Sequence, residues 1–239
     1  KKLKRYCKKL MVIDDLADRK HSCDILLDQT YGRQCKDYKS LTSKDCLLLL
    51  GSQYALLRPE FLEWRKHSIR RRSKSEFKKL LITMGGMDIE NITERVLDKL
   101  KVCNLPNDIN ITVIMGKTAP HLTRVKRKAR MMTYKTEVKT DVNNIAEIMT
   151  KMDIGIGAAG STTWERCCLG LPSIQIVIAE NQKFLAETLA RFKVVMLAGE
   201  IKEVNSILES SSEWMNVVSK SALEVCDGMG GYKVFNNMT

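Results

Sequence analysis

The stretch DIGIGAAGSTTWERCCLGLPSIQIVIAENQ (153–182) runs from a short apolar segment through a loop of small residues, a helical pattern and a second apolar segment to a polar Glu-Asn-Gln. DIGIG reads as a buried strand. TTWERCCLG reads as a helix stopped by Gly170, with Pro172 just beyond it, and SIQIVIA reads as the next strand. Strand, helix and strand in this order predict a right-handed βαβ unit of a parallel sheet. The same alternation extends outward. Upstream, KLLITM (79–84), INITVIMG (109–116) and TYKTEVKT (133–140) read as strands. Helical patterns lie between them over 89–102 and 123–132, and another covers 142–152. Asp141 is expected to cap that last helix, with Ile145, Ile148, Met149 and Met152 on its apolar stripe. Downstream come a helix over 181–193, a strand at VVMLA (194–198), two more helices and the ending DGMGGYKVF (227–235).

The first seventy residues are organised differently. LMVI (10–13), DILLDQ (24–29) and LLLLG (47–51) are strand-sized apolar runs of the kind buried on both faces of a parallel sheet. Helical patterns between them are scarce, so the segment resembles the back half of an α/β domain. YALLRPEF (54–61) reads as a turn, and the second half of the basic stretch FLEWRKHSIRRRSKSEF (61–77) reads as a linker. The expected organisation is a partial Rossmann-like domain with its exit turn over 1–70, a linker over 71–77, a nucleotide-binding Rossmann-like domain over 78–225 and a tail over 226–239.

Composition narrows the class. The chain has 239 residues, 44% hydrophobic and 28% charged, as in ordinary globular proteins. No apolar run reaches membrane-spanning length, and the basic N-terminus leads into acids rather than a secretory signal, so a cytoplasmic protein without a membrane partner is expected. None of the eight cysteines forms the Cys-x-x-Cys pair usual in a zinc site, so they are expected as reduced thiols and not as metal ligands; no cofactor is expected. The net charge of +12 is concentrated in KKLKRYCKK, IRRRSKSEFKK and TRVKRKAR. Aromatics make up only 6% and do not interleave with the basic runs, which argues against nucleic acid and for solvated basic faces that attract anionic small molecules.

In an open parallel sheet, ligands bind beyond the carboxyl ends of the strands. Three loops are expected on that edge. Gly85 and Gly86 lie in a Gly-Gly-Met-Asp turn, where the backbone can approach an anion or simply turn tightly. Gly160, Ser161 and Thr162 stand at a helix start whose unpaired N–H groups favour phosphate, and Glu165 is placed to accept both hydroxyls of a ribose. An alternative use is a capping box, with Ser161 or Thr162 as cap and Glu165 reaching back. Asn181 and Gln182 suit a sugar or a uracil, Asn181 having an alternative as a helix cap. The chain contains neither a G-x-G-x-x-G fingerprint nor a P-loop, and its three histidines, His21, His67 and His121, sit in scattered contexts.

GGMD, GAAGSTTWERCCLGLPS and AENQ together resemble the carboxyl-terminal domain of GT-B-type nucleotide-sugar enzymes. IDDLADRKHSCDILLDQ (13–29), LLGSQYALLRPEF (49–61) and DGMGGYKV (227–234) resemble, more narrowly, the UDP-2,4-diacetamido-2,4,6-trideoxy-β-L-altropyranose hydrolase family of pseudaminic acid biosynthesis. That resemblance implies a GT-B-like fold of two Rossmann-like domains, the first incomplete here, with a UDP-sugar in the cleft and hydrolysis at its anomeric carbon without a metal. It places Gly85, Gly86, Gly160, Ser161 and Thr162 near the diphosphate, Glu165 on the ribose, and Asn181 and Gln182 on the phosphate or sugar side. Asp14, Asp15, Arg58 and Glu60 line the sugar pocket on this reading, or else form a structural ion-pair network. The family's general base is a histidine on a glycine-rich loop, and no stretch of this chain matches that loop. The catalytic group is therefore unassigned, and weak or absent turnover with UDP binding through the second domain is expected. A glycosyltransferase of the same fold and a non-catalytic binder of nucleotide or nucleic acid are the alternatives.

Overall fold

The computed structural model describes residues 6–72, 76–210 and 213–238. Two sheets, both wholly parallel, form it. The smaller holds β1 (Met11–Ile13), β2 (Ile25–Asp28) and β3 (Leu47–Leu50) in that spatial order, with a short helix α1 (Cys35–Tyr38) between the last two strands. Only β2 is buried along its whole length; Ile13 on β1 and Leu47 on β3 are largely exposed, as befits edge strands. One face of this sheet packs Leu26 and Leu50 against Tyr38, and the other packs Ile25, Leu27 and Leu49 against Val234 from the end of the chain.

The larger sheet holds β4 (Lys79–Thr83), β5 (Asn110–Ile114), β6 (Lys135–Lys139), β7 (Ile154–Ala158), β8 (Ser173–Ile176) and β9 (Met196–Ala198), in the spatial order β6-β5-β4-β7-β8-β9. The alternation of residues along β4 sets its two faces. Leu80 and Ile82 join a core closed by α3 (Ile92–Leu100), α4 (Leu122–Arg130) and α8 (Glu203–Glu209). Leu81 joins the opposite core, closed by α5 (Ile145–Lys151), α6 (Thr162–Cys168), α7 (Lys183–Arg191) and α9 (Glu213–Val225). Strand order reverses direction between β4 and β7, the switch point that opens a crevice at the carboxyl ends of an α/β sheet.

Three local expectations change. FLEWRKHSIRRR lies in a helix, α2 (Pro59–Arg72), which takes in the end of the expected turn and the first two residues of the expected linker. Its Phe61, Arg65, Ser68 and Arg72 follow the helical repeat and face inward. Arg65 donates to the carbonyls of Cys168, Leu223 and Cys226, and Arg72 donates to those of Met149, Met152 and Leu169. These arginines therefore satisfy the open carbonyl ends of α5, α6 and α9, so Arg72 of this basic cluster is buried while Arg70, Lys78 and Lys79 remain exposed. Residues 73–75 of the expected linker, and 1–5 of the first basic run, lie outside the described residues. Asp141 does not cap the helix that follows. It has a left-handed backbone (φ 53°) and pairs with Lys117, and α5 begins only at Ile145. The chain's ending is a further helix, α10 (Gly230–Met238), whose Val234 covers the smaller sheet.

Among the described residues no helix is long and apolar enough to cross a membrane. None of the eight cysteines is in a disulfide.

Candidate functional site

Two adjoining cavities open at the carboxyl edges of the strands, with the loop after β7 between them. The smaller, about 310 Å³, lies at the switch point between the loops after β4, β5, β6 and β7. The larger, about 680 Å³, lies between the loops after β1 and β2 of the smaller sheet and those after β7 and β8.

The glycines of the loop after β4 have distinct causes. Gly85 carries a left-handed backbone (φ +88°) and makes the turn. A Cβ built on Gly85, Gly86 or Gly160 would meet nothing within 4 Å, so these three positions leave open space along the cavity walls. Gly116 does the opposite. Its N–H donates to the Gly86 carbonyl at 2.9 Å, and a Cβ there would stand 2.3 Å from that oxygen, so glycine is what lets the loops after β4 and β5 touch. Asp88, the last residue of the GGMD turn, is buried and accepts from the N–H groups of Ile92 and Thr93, capping α3.

In the loop after β7 neither capping reading applies. Ser161 is already helical in conformation and makes no side-chain cap, and it is exposed. The Glu165 carboxylate accepts no hydrogen bond from any described residue. It faces the smaller cavity together with Arg58. Burial raises its pKa, a push that the Arg58 and Arg166 charges partly oppose and Glu60 reinforces. Behind it Arg166 is fully buried, donating to the Ala158 carbonyl (2.9 Å) and the Thr162 hydroxyl (3.1 Å). Burial pulls its pKa down to about 10, which leaves it charged at neutral pH. The GIG of β7 makes room for this side chain, since a Cβ on Gly157 would lie 2.5 Å from its Nη1. Arg58 is tied to Glu60 at 2.8 Å and lies over the Phe61 ring; Glu60 lines neither cavity and acts on the site through Arg58 and through its charge on Glu165.

Asp14, Asp15, Gly160, Asn181 and Gln182 all line the larger cavity. Both Asp14 oxygens are engaged, by the Ala17 N–H (2.9 Å), the Tyr38 hydroxyl (2.8 Å), Arg19 (3.2 Å) and, at 3.5 Å, His21. Burial would raise the Asp14 pKa, but these donors and charges outweigh it and hold the carboxylate below its usual value. Asn181 is exposed and caps no helix; Gln182 accepts from the Ile178 N–H at 3.2 Å.

Residues that the sequence-based reading did not assign to a site complete both sites. Lys117, Val142, Ile145 and Met149 give the smaller cavity a cation and an apolar wall. Thr30 and Arg33 line the larger one, with Asp28 and Tyr38 behind them. ILLDQTYGRQ carried a signal for this, an Asp ending a strand five residues before an Arg. Chemically, the smaller cavity offers an apolar slot with a free carboxylate for a diol. The larger offers hydrogen-bonding groups of both kinds, and the Gly160–Thr162 backbone joins the two.

Comparisons with known proteins agree with this architecture. Residues 79–211 match the glycosyltransferase family 28 C-terminal domain. The chain is 29% identical over 183 residues to the UDP-2,4-diacetamido-2,4,6-trideoxy-β-L-altropyranose hydrolase of Campylobacter jejuni, covering 77% of this chain and 62% of that protein. It is 28% identical over 141 residues to the spore coat polysaccharide biosynthesis protein SpsG of Bacillus subtilis, covering 59% of this chain and 40% of that one. The chain spans between 38% and 62% of the length of the first curated relatives it matches. Among solved structures, MurG of Acinetobacter baumannii superposes with a TM-score of 0.71 at 12% identity, over 98% of this chain and 67% of that one. The GT-B-like fold expected from the sequence is thus the fold found.

Proposed function

The chain belongs to the glycosyltransferase family 28 C-terminal domain family, and from that premise we propose that it is the nucleotide-sugar-binding part of an enzyme that cleaves a UDP-linked sugar at its anomeric carbon. The observation that carries this reading is Glu165, a largely buried carboxylate without a hydrogen bond in the described chain, beside Arg58 in a cavity at the switch point. A ribose diol supplies the two donors that such a carboxylate lacks. The base then rests against Val142, Ile145 and Met149, the diphosphate follows the backbone of Gly85, Gly86 and Gly160–Thr162, and the sugar enters the larger cavity beside Asp14, Asp15, Asn181 and Gln182.

Hydrolysis, with water as acceptor and UDP and the free sugar as products, is supported by the similarity to the Campylobacter hydrolase, whose name also supports an uncharged diacetamido-trideoxy sugar. Transfer to another acceptor is the second reading, supported by the family match and by the MurG-like fold. His21, His67 and His121 line neither cavity, so the carboxylates lining them are this chain's own groups for proton transfer. Calorimetric titration with UDP tests the nucleotide site. Saturable binding is expected, weakened about tenfold or more in Glu165→Ala, since a carboxylate held by two hydroxyls contributes on the order of 1.5–3 kcal/mol. A folded wild type that ignores UDP would sink the proposal. UDP release from a UDP-sugar in water alone supports hydrolysis, and release only with an added acceptor supports transfer.

A further inference from the structure

We propose that Arg33 is a substrate-contacting, specificity-determining residue that donates hydrogen bonds to the carbonyl of an N-acyl group on the sugar; this rests on the placement of the sugar in the larger cavity. Arg33 is held on every side. Its Nε donates to Asp28 at 2.5 Å, and its Nη2 donates to the Asp15 carbonyl at 2.7 Å. Its guanidinium lies 5.9 Å from the ring centroids of both Tyr38 and Phe184. Asp28 is itself fixed by the Thr30 N–H and by the Tyr38 hydroxyl, each at 2.8 Å. That hydroxyl also lies 2.8 Å from Asp14, so one buried phenol shares its single proton between carboxylates at the ends of β1 and β2. A guanidinium has five N–H groups. The two bonds leave the others without a partner among the described residues, in a side chain that is 10% exposed and lines the cavity. Fixed donors at a cavity wall are suited to an oxygen acceptor.

Charge decides which acceptor. Asp28 neutralises Arg33 directly. Asp15 and Glu180 line the same cavity, and neither is ion-paired among the described residues. A phosphate there would meet two unpaired carboxylates and a cation already neutralised. A neutral carbonyl meets only the donors, the carboxylates are left for sugar hydroxyls, and Leu16, Trp164 and Phe184 offer the apolar contact that an acyl methyl group needs.

The test is calorimetric binding of UDP, UDP-glucose and UDP-N-acetylglucosamine to the wild type, to Arg33→Lys, and to the double variant Asp28→Asn/Arg33→Gln, which removes the buried charges together. Melting temperatures identify folded variants, and Arg33→Lys keeps a cation for Asp28. The wild type is expected to prefer UDP-N-acetylglucosamine to UDP-glucose. Both variants should lose about tenfold of that preference, the scale of one good hydrogen bond to a charged donor, with UDP affinity unchanged. A preference that persists in the variants, no preference in the wild type, or a parallel loss of UDP affinity would each overturn the assignment. Glu165-dependent UDP binding in those cases leaves the nucleotide reading standing. A folded wild type that binds none of the three overturns both.

Discussion

Glu165 sits in a place that disfavours its own charge. Burial raises its pKa, and no described residue donates to it. A carboxyl whose pKa is higher in the folded than in the unfolded state holds its proton more tightly when folded. Its ionisation therefore opposes folding above the unfolded pKa, and the opposition fades as pH falls through the folded one. Glu165→Gln should accordingly raise the melting temperature at neutral pH, with the gain vanishing in acid, while UDP affinity drops. In the wild type, affinity for UDP should weaken on acidification toward the raised pKa, because the protonated acid no longer accepts from both hydroxyls. The variant's residual affinity should not follow that curve. Thermal melts and titrations from neutral pH down past the ordinary glutamate value of 4.5 check both halves. A variant that melts lower than wild type at neutral pH would mean that the carboxylate is held by the protein and not kept for a ligand. This position was legible in the sequence because glycine, hydroxyl and acid clustered within a few residues after a strand. Arg33 was legible only in part: its spacing from Asp28 is local, but its other partners Asp15 and Phe184 come from two further segments.

Among the elements, the strands were legible because apolar runs such as LLLLG and KLLITM have no competing explanation, while α2 was hidden by its composition. Its inward stripe follows the helical repeat, but two of the four members, Arg65 and Arg72, are arginines, so a search for apolar periodicity passes over it. The physical reason for arginine is local: several helices end nearby with unpaired carbonyls, and a guanidinium can serve several at once. Burial pulls the Arg72 pKa down to about 9, still above neutral pH, so the charge is retained in the interior. Removing it leaves the carbonyls of Met149, Met152 and Leu169 without that donor. Arg72→Ala should cost about 1.5–3 kcal/mol in urea denaturation, from the loss of hydrogen bonds to a buried charged donor, since Ser68, Arg71 and the Met152 N–H still reach those carbonyls. Arg72→Lys should recover part of it, with one flexible ammonium for three carbonyls. An exposed cation such as Lys126 on α4 replaced by Ala should change stability by less than about 0.5 kcal/mol. Equal costs at the two positions would show that α2 is no more than a tether.

At the scale of the whole molecule, the chain crosses between its two sheets and then comes back. It leaves the smaller sheet through α2, builds the larger one, and returns through α10, which lays Val234 on Ile25, Leu27 and Leu49. The DGMGG turn makes that return possible. A Cβ on Gly230 would lie 2.2 Å from the Ala55 carbonyl, and one on Gly228 would lie 2.9 Å from the Cys168 sulfur, so the helix start is pressed against both units. The glycines were visible in the sequence, but the surface they approach lies far away in the chain. The two cavities depend on this arrangement to different degrees. The smaller is built by the larger sheet with Arg58 alone from the entry to α2, whereas the larger needs β1 and β2 held over α7, where Tyr31 packs edge-on to Phe192 at 5.7 Å. Gly230→Val should therefore loosen the smaller sheet without dismantling the nucleotide site. The expected result is a loss of about 1–3 kcal/mol from overpacking and earlier proteolysis within 226–238. UDP affinity should be retained, and the added affinity for a UDP-sugar over UDP lost. If UDP and UDP-sugar binding fall together, the two cavities form one cooperative unit and the nucleotide site requires the smaller sheet as well.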